Sequence, residues 1–379
     1  MKFRILFFSL LINLGLENIN AQEVKGITLE QAVGLALTNS DAAKIADAKV
    51  TTAIGEVNVT KNNQYPDFDI SGQYLYLTNA DINIKYSTTQ SDPDPEEADT
   101  GGSPSVDGLL IGQASISMPV FSGFKLKNLL KASENQYQAA IFNSKDDKEQ
   151  LALQTIITYV NLYKATQTVE LVNENLKSTQ QRVKDFQAME QNGILARNDL
   201  LKAQLQESNV QLTLEEAIKN RNILNYKLAV YLKLPQGTEI NPTETSFGPV
   251  PQESGNNDVS RNDLQALQYQ EQAAENQIKV AQSKYYPSLS LTGGYIALDV
   301  HNALTVKNAM NVGVGLSYNL ADIFKTKSDV KVAQSRVEEL QFSVDRATDQ
   351  ITVQIENAKQ DYNLELRKFE VYTKSEEQA

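Results

Sequence analysis

The densest set of groups that could do chemistry is acidic. Asp92-Pro-Asp-Pro-Glu-Glu-Ala-Asp99 places five carboxylates within eight residues, and hard oxygen ligands at that density are what calcium takes. The two prolines and the absence of an EF-hand pattern argue against such a site. A single histidine, His301, lies in a loop between strand-like stretches with no partner in view, and cysteine is absent. That removes thiol nucleophiles, Cys-ligated metals, a disulfide framework and any acceptor for an N-terminal lipid on cysteine. No nucleophile-base pair, metal-ligand spacing or phosphate-binding glycine loop is found, so the expectation is a non-enzyme with no cofactor and no metal. A net charge of −12 disfavours a nucleic-acid partner.

The acidic run belongs to a stretch, Ser87 to Gly108, whose acidic, Pro-rich and Gly-rich composition predicts a solvated hairpin loop. The segments it joins alternate. Phe68, Ile70, Tyr74 and Tyr76 share one face against Asp67, Asp69, Ser71 and Gln73, while Leu110, Ala114, Ile116, Met118 and Val120 oppose Gln113, Ser115 and Ser117. The same unit returns later. Tyr65-Pro66 recurs as Tyr286-Pro287, and Phe124-Lys-Leu-Lys127 as Phe324-Lys-Thr-Lys327. Between them Leu289, Leu291 and Tyr295 oppose Ser288, Ser290 and Thr292, then Val312, Val314, Leu316, Tyr318 and Leu320 oppose Asn311, Ser317 and Asn319. Each strand is expected to run about ten residues, the length a tilted strand needs to cross a bilayer. An isolated strand of this kind also suits a soluble sandwich; the flanking segments decide against it.

Those flanks are helical and long. Thr28 and Gln31 have capping-box spacing, and a sparse apolar stripe from Ala32 to Val57 predicts a helix over residues 28 to 64, ended by Tyr65-Pro66. It would be roughly 55 Å long. No proline occurs from Gly123 to about Glu190, where a narrow apolar seam suits coiled-coil packing in a rod of about 100 Å. Gly193 is placed to end that helix and Asn198 to cap the next, over about 198 to 234. Residues 235–257, with Pro235, Gly237, Pro242, Gly248, Pro249, Pro251 and Gly255, read as a linker. Helix resumes over about 258 to 286, and another runs from Phe324 to the last residue. Residues 1–21, with Lys2 and Arg4 before the apolar run Ile5 to Leu16, are expected to be a signal peptide. No other stretch approaches about 20 uncharged apolar residues, so a membrane would have to be entered as a closed barrel. The expected organisation is a first repeat at 22–234, the linker, and an incomplete second repeat at 258–379.

This order of segments resembles the TolC family of outer-membrane efflux proteins over nearly the whole mature chain. The residues carrying the likeness are Ile27-Thr-Leu-Glu-Gln-Ala-Val-Gly-Leu-Ala-Leu37, Tyr65-Pro66, Ser117-Met-Pro-Val-Phe-Ser-Gly-Phe124, Asn192-Gly193 to Asp199-Leu-Leu-Lys-Ala-Gln204, and Tyr286-Pro287. Each alone is a weak motif; in order and doubled they are specific. The resemblance implies a mostly α fold with a four-stranded β segment, in which three chains close one 12-stranded transmembrane barrel above long periplasmic helical hairpins. It implies a passive exit duct of a tripartite efflux or type I secretion system, in contact with outer-membrane lipid and served by a periplasmic adaptor and an inner-membrane pump. Asp67, Asp69, Gln73, Gln113, Ser288, Ser290 and Asn311 are then expected to face the lumen. The adaptor-docking tip maps onto Gly193, Ile194, Leu195, Ala196, Arg197 and Asn198, without the hydroxyl residue often found at that turn. The second copy departs from the family by lacking a hairpin and returning helix, so no gating residue is carried over. A fragment, favoured by the lack of a C-cap signal near residue 379, and a truncated homologue both remain open. The rival from another class is a structural or adhesive coiled-coil protein of the cell envelope.

Overall fold

Thr28 does what its spacing to Gln31 predicts. Its hydroxyl accepts the Gln31 backbone N–H at 3.3 Å while the Gln31 side-chain oxygen Oε1 accepts the Thr28 N–H at 3.1 Å, a closed capping box that starts helix α1 (Leu29–Asn39). The expected single helix from 28 to 64 is instead two. Ser40 is extended (φ −65°, ψ 149°), and its hydroxyl accepts the Ala43 N–H at 3.2 Å, starting α2 (Asp41–Asn62). In Asn39-Ser40-Asp41, three side chains that compete for backbone groups fall in a row and divide the helix.

The computed structural model describes residues 24–80, 106–243, 261–301 and 304–378. The signal segment 1–21, residues 87–105 of the acidic loop and residues 244–257 of the linker lie outside them. The chain divides into two compact units, each built from separate pieces: residues 1–50 with 142–262, and residues 51–141 with 263–379.

The first unit holds the hydrophobic core. Ala32, Ala36 and Ala43 from the N-terminal helices meet Leu151, Tyr159 and Leu162 of α3 (Lys125–Gln191) and Leu228, Ala229 and Leu232 near the end of α4 (Arg197–Tyr231). A two-stranded parallel sheet absent from the sequence reading lies within it, β1 (Val24–Ile27) pairing with β4 (Glu239–Pro242). Tyr159, fully buried, joins the two. Its hydroxyl donates to the Ile27 carbonyl at 2.8 Å and accepts the Thr243 N–H at 3.2 Å. Asn225 holds β4 from the helix side, accepting the Ile240 N–H at 2.8 Å and donating to the Thr238 carbonyl at 3.0 Å. Helix α4 ends at Lys233 in the left-handed region (φ 56°) without a glycine. The Lys233 ammonium lies 2.5 Å from Asp41 and holds that carboxyl below its ordinary value.

The second unit holds a four-stranded antiparallel sheet, in the order β2 (Asp67–Ala80), β3 (Val106–Ser122), β5 (Ser288–Val300), β6 (Leu304–Ser317). β2 follows α2, and β3 runs into α3; β5 follows α5 (Asn262–Gln282) and a short 3₁₀ turn, and β6 leads to α6 (Asp322–Gln378). The strands span 14, 17, 13 and 14 residues, longer than the expected ten or so. Pro119 sits beside a register shift, where a central strand tolerates a missing N–H.

Candidate functional site: an amphipathic sheet and a helical-hairpin tip

Cross-strand partners share a face, so the register fixes how the sheet's surfaces are composed. One face carries Phe68 opposite Ile116, Ile116 opposite Gly293 and Gly293 opposite Val312; beside that row Met118 meets Leu291 and Leu291 meets Val314. This apolar face is bare. Val312 is 86% exposed, Met310 81%, Ile70 72% and Tyr76 71%. Apolar surface of that extent marks contact with a membrane or a partner.

All seven residues expected to face a lumen lie together on the opposite face. Asp67 pairs with Ser117, Asp69 with Ser115 and Gln73 with Ile111; Gln113 lies between Ser71 and Ile296. Ser288 and Ser290 pair with Ser317 and Gly315, and Asn311 pairs with Gly294. The Ser288 hydroxyl donates to the Ser317 carbonyl at 3.3 Å. Asn311 covers Gly294 so closely that a Cβ there would come within 2.8 Å of its carboxamide oxygen.

The polar face does not stay polar. Towards the loops it becomes Leu75 opposite Leu109, Leu109 opposite Val300, and Ile111 opposite Leu298. On the other face Asp299 appears beside Leu110, its carboxylate accepting the Thr305 hydroxyl at 2.6 Å. The apolar band on β5 therefore ends before Asp299, and the additional strand length lies beyond it. This reversal is visible in the register and not in the alternation of the sequence alone, where apolar residues fall on both faces near the loops.

Aromatic residues bracket the band. Tyr74 and Tyr76 are exposed at the loop end, where the Tyr295 hydroxyl donates to the Asn308 carboxamide at 3.0 Å. Tyr65, Phe124, Tyr286, Tyr318 and Phe324 are exposed at the helix end. Aromatic girdles at both edges of an apolar band are a property of membrane barrels.

The tip residues belong to the other unit. Gly193, at φ 70°, donates to the Glu190 carbonyl at 2.9 Å, and Ile194 donates to the Met189 carbonyl at 2.8 Å; this Schellman closure ends α3 as its glycine predicts. Asn198 is not the cap. Ala196 occupies that position with no side-chain bond, and α4 begins at Arg197. The turn is held instead by Arg197 and Glu190 at 3.4 Å and by Val183, Phe186, Leu200 and Ala203 packing across the hairpin. Ile194 is left 76% exposed.

Among the described residues no group of three or more acidic or histidine side chains could hold a metal ion, and no helix is long and apolar enough to cross a membrane.

A four-stranded sheet continued by helices of 67 and 57 residues is the fold of TolC-like outer-membrane channels. The Campylobacter jejuni CmeC outer membrane channel superimposes with a TM-score of 0.69 over 89% of this chain and 73% of its own, at 17% identity. A sequence profile of the outer membrane efflux protein family matches residues 32–232 and 258–379, and the chain belongs to that family. Its relatives include the probable outer membrane lipoprotein SilC of Salmonella typhimurium, 24% identical over 70% of this chain and 54% of SilC. The outer membrane efflux protein BepC of Brucella suis is 22% identical over 68% of this chain and 58% of BepC. The chain thus spans little more than half the length of these curated relatives. The family is one of efflux channels and not of enzymes, in agreement with the lack of catalytic groupings in the sequence.

Proposed function

We propose that three copies of the chain close their sheets into one barrel in the outer membrane, forming a passive exit channel. The observation that carries this reading is the bare apolar face on a sheet whose edge strands, β2 and β6, have no neighbour among the described residues. In hydrocarbon each unpaired edge group costs several kcal/mol, and four strands are too few to close a barrel, for which about eight are the minimum. Sister copies supplying the missing edges remove that cost. The apolar face then meets lipid, and Asp67, Asp69, Gln73, Gln113, Ser288, Ser290 and Asn311 line the lumen. The adhesive coiled-coil alternative leaves the apolar face unexplained.

In this reading residues 22–234 and 258–379 are two copies of one unit about the linker 235–257. The helices form a periplasmic conduit, and the tip from Gly193 to Asn198 docks a periplasmic adaptor that connects it to an inner-membrane pump, in efflux or type I secretion. Similarity to the outer membrane efflux protein BepC and the outer membrane channel CmeC supports export of this kind. The test is assembly and conductance together: the detergent-solubilised protein runs as a trimer and opens ion-conducting pores in planar bilayers. A stable water-soluble monomer without conductance refutes the proposal.

A further inference from the structure

Within the second unit, directly beyond the aromatic girdle at the helix end, a cavity of about 420 Å³ is lined by Lys127 and Lys131 of α3, Lys279 of α5, and the rings of Phe124, Tyr285 and Tyr286. No carboxylate lines it, and among the described residues none of the three lysines forms an ion pair. Lys284, a few residues away, is by contrast paired with Asp329 at 2.8 Å. In a chain of net charge −12, three lysines therefore line one hollow whose lining holds no carboxylate.

The aromatic wall places that hollow beside the apolar face. Phe121 pairs with Leu289, which pairs with Leu316, so Phe121 belongs to that face. Its ring meets Phe124 edge-on at 5.4 Å, and Phe124 meets Tyr286 edge-on at 6.4 Å. The chain is fixed there by Gly123, at φ 61°, where a Cβ would lie 2.5 Å from the Ser283 carbonyl oxygen. Along α3, Lys127 and Lys131 are about one and two turns past Phe124, or roughly 5 to 10 Å. The 40–45 Å bilayer exceeds its 30 Å hydrocarbon core by about 5 to 7.5 Å on each side, so the Lys127 backbone falls within a headgroup layer and the Lys131 backbone just beyond it.

We propose that this hollow binds the phosphate headgroup of an anionic phospholipid, of the phosphatidylglycerol type, with the acyl chains lying along Phe124 and the apolar face. The proposal rests on the barrel reading above. A headgroup phosphate satisfies the three lysines at once, and the aromatic wall gives its glycerol and upper acyl carbons a surface that a free phosphate would not use. The volume falls in the usual range for small-ligand pockets, about 300–1,000 Å³.

Native mass spectrometry of the detergent-solubilised assembly, titrated with phosphatidylglycerol or phosphatidylcholine, tests it. The unsubstituted protein should retain phosphatidylglycerol in preference to phosphatidylcholine. The triple variant Lys127→Gln, Lys131→Gln, Lys279→Gln should lose that preference by on the order of tenfold to a hundredfold, because each basic residue at an anionic surface contributes separately. The corresponding triple Arg variant should keep it. Unchanged retention by the Gln variant, with helix content intact by circular dichroism, overturns the proposal, as does displacement of the lipid by inorganic phosphate at equal concentration. Conductance in phosphatidylcholine bilayers separates the two levels. Protein that conducts but is indifferent to phosphatidylglycerol refutes the lipid site alone, whereas protein that never inserts refutes the barrel as well.

Discussion

Two glycines with nearly the same backbone show how differently one residue type can be constrained. Gly193 (φ 70°) has nothing within 4 Å of a Cβ, whereas Gly123 (φ 61°) has the Ser283 carbonyl oxygen at 2.5 Å and Tyr286 Cβ at 2.9 Å. A side chain at Gly193 meets the left-handed penalty of about 1–2 kcal/mol and no collision. Gly193→Val should therefore leave trimers intact while weakening adaptor coupling, read as raised sensitivity in an export assay; undiminished export would remove the docking role. Gly123→Ala adds a collision with backbone to the same strain and should reduce the yield of folded assembly sharply, seen in the trimer peak on size exclusion. Charge acts at this scale too. Asp67 and Asp69 are the charged residues at the helix end of the polar face, so the proposed channel should prefer cations. Asp67→Asn with Asp69→Asn should move the reversal potential in a salt gradient towards zero selectivity, with no change in assembly. Tyr159→Phe leaves the buried Ile27 carbonyl and the Thr243 N–H without their shared hydroxyl, and should cost about 2 kcal/mol in denaturant unfolding.

At the scale of elements, the connection from the 3₁₀ turn to α6 carries a pH signature. Lys284 is held above its ordinary value first by its hydrogen bond to Asp329 and then by that carboxylate's charge. Because the folded pKa lies above the unfolded value of about 10.5, the contribution is whole below that pH and is lost as the pH climbs through the raised value. Both side chains are about half exposed, so solvent screening holds it to roughly 0.5 kcal/mol. Lys284→Met should accordingly lower thermal stability slightly at pH 8, and the difference from the unsubstituted protein should shrink as the pH rises beyond 10.5 through the raised value. The elements themselves were largely legible. Alternation exposed all four strands of the sheet, and the capping spacing of Thr28 and Gln31 and the glycine at 193 gave true helix ends. What sequence could not convey is tertiary. β1 and β4 are four residues each, paired across more than two hundred positions and stabilised by Tyr159 and Asn225, and nothing in Val24–Ile27 announces a partner. Ser40 divides a helix because its hydroxyl finds the Ala43 N–H, and Ala196 rather than Asn198 precedes α4 because packing of Leu200 and Ala203 sets the hairpin. In the proposed site, membership of one face was readable from period; the turn to leucine and isoleucine near the loops needed the register.

For the whole molecule as proposed, the rims of β2 and β6, unshared among the described residues, make completion of the barrel a collective act. Each copy supplies two seams, and a copy damaged along β6 spoils the ring it joins as well as its own contribution. If damaged and intact copies enter rings at random in equal amounts, only about one ring in eight is wholly intact, as closed threefold symmetry requires. A single altered allele would then behave as dominant, and the activity that remains would follow the cube of the intact fraction.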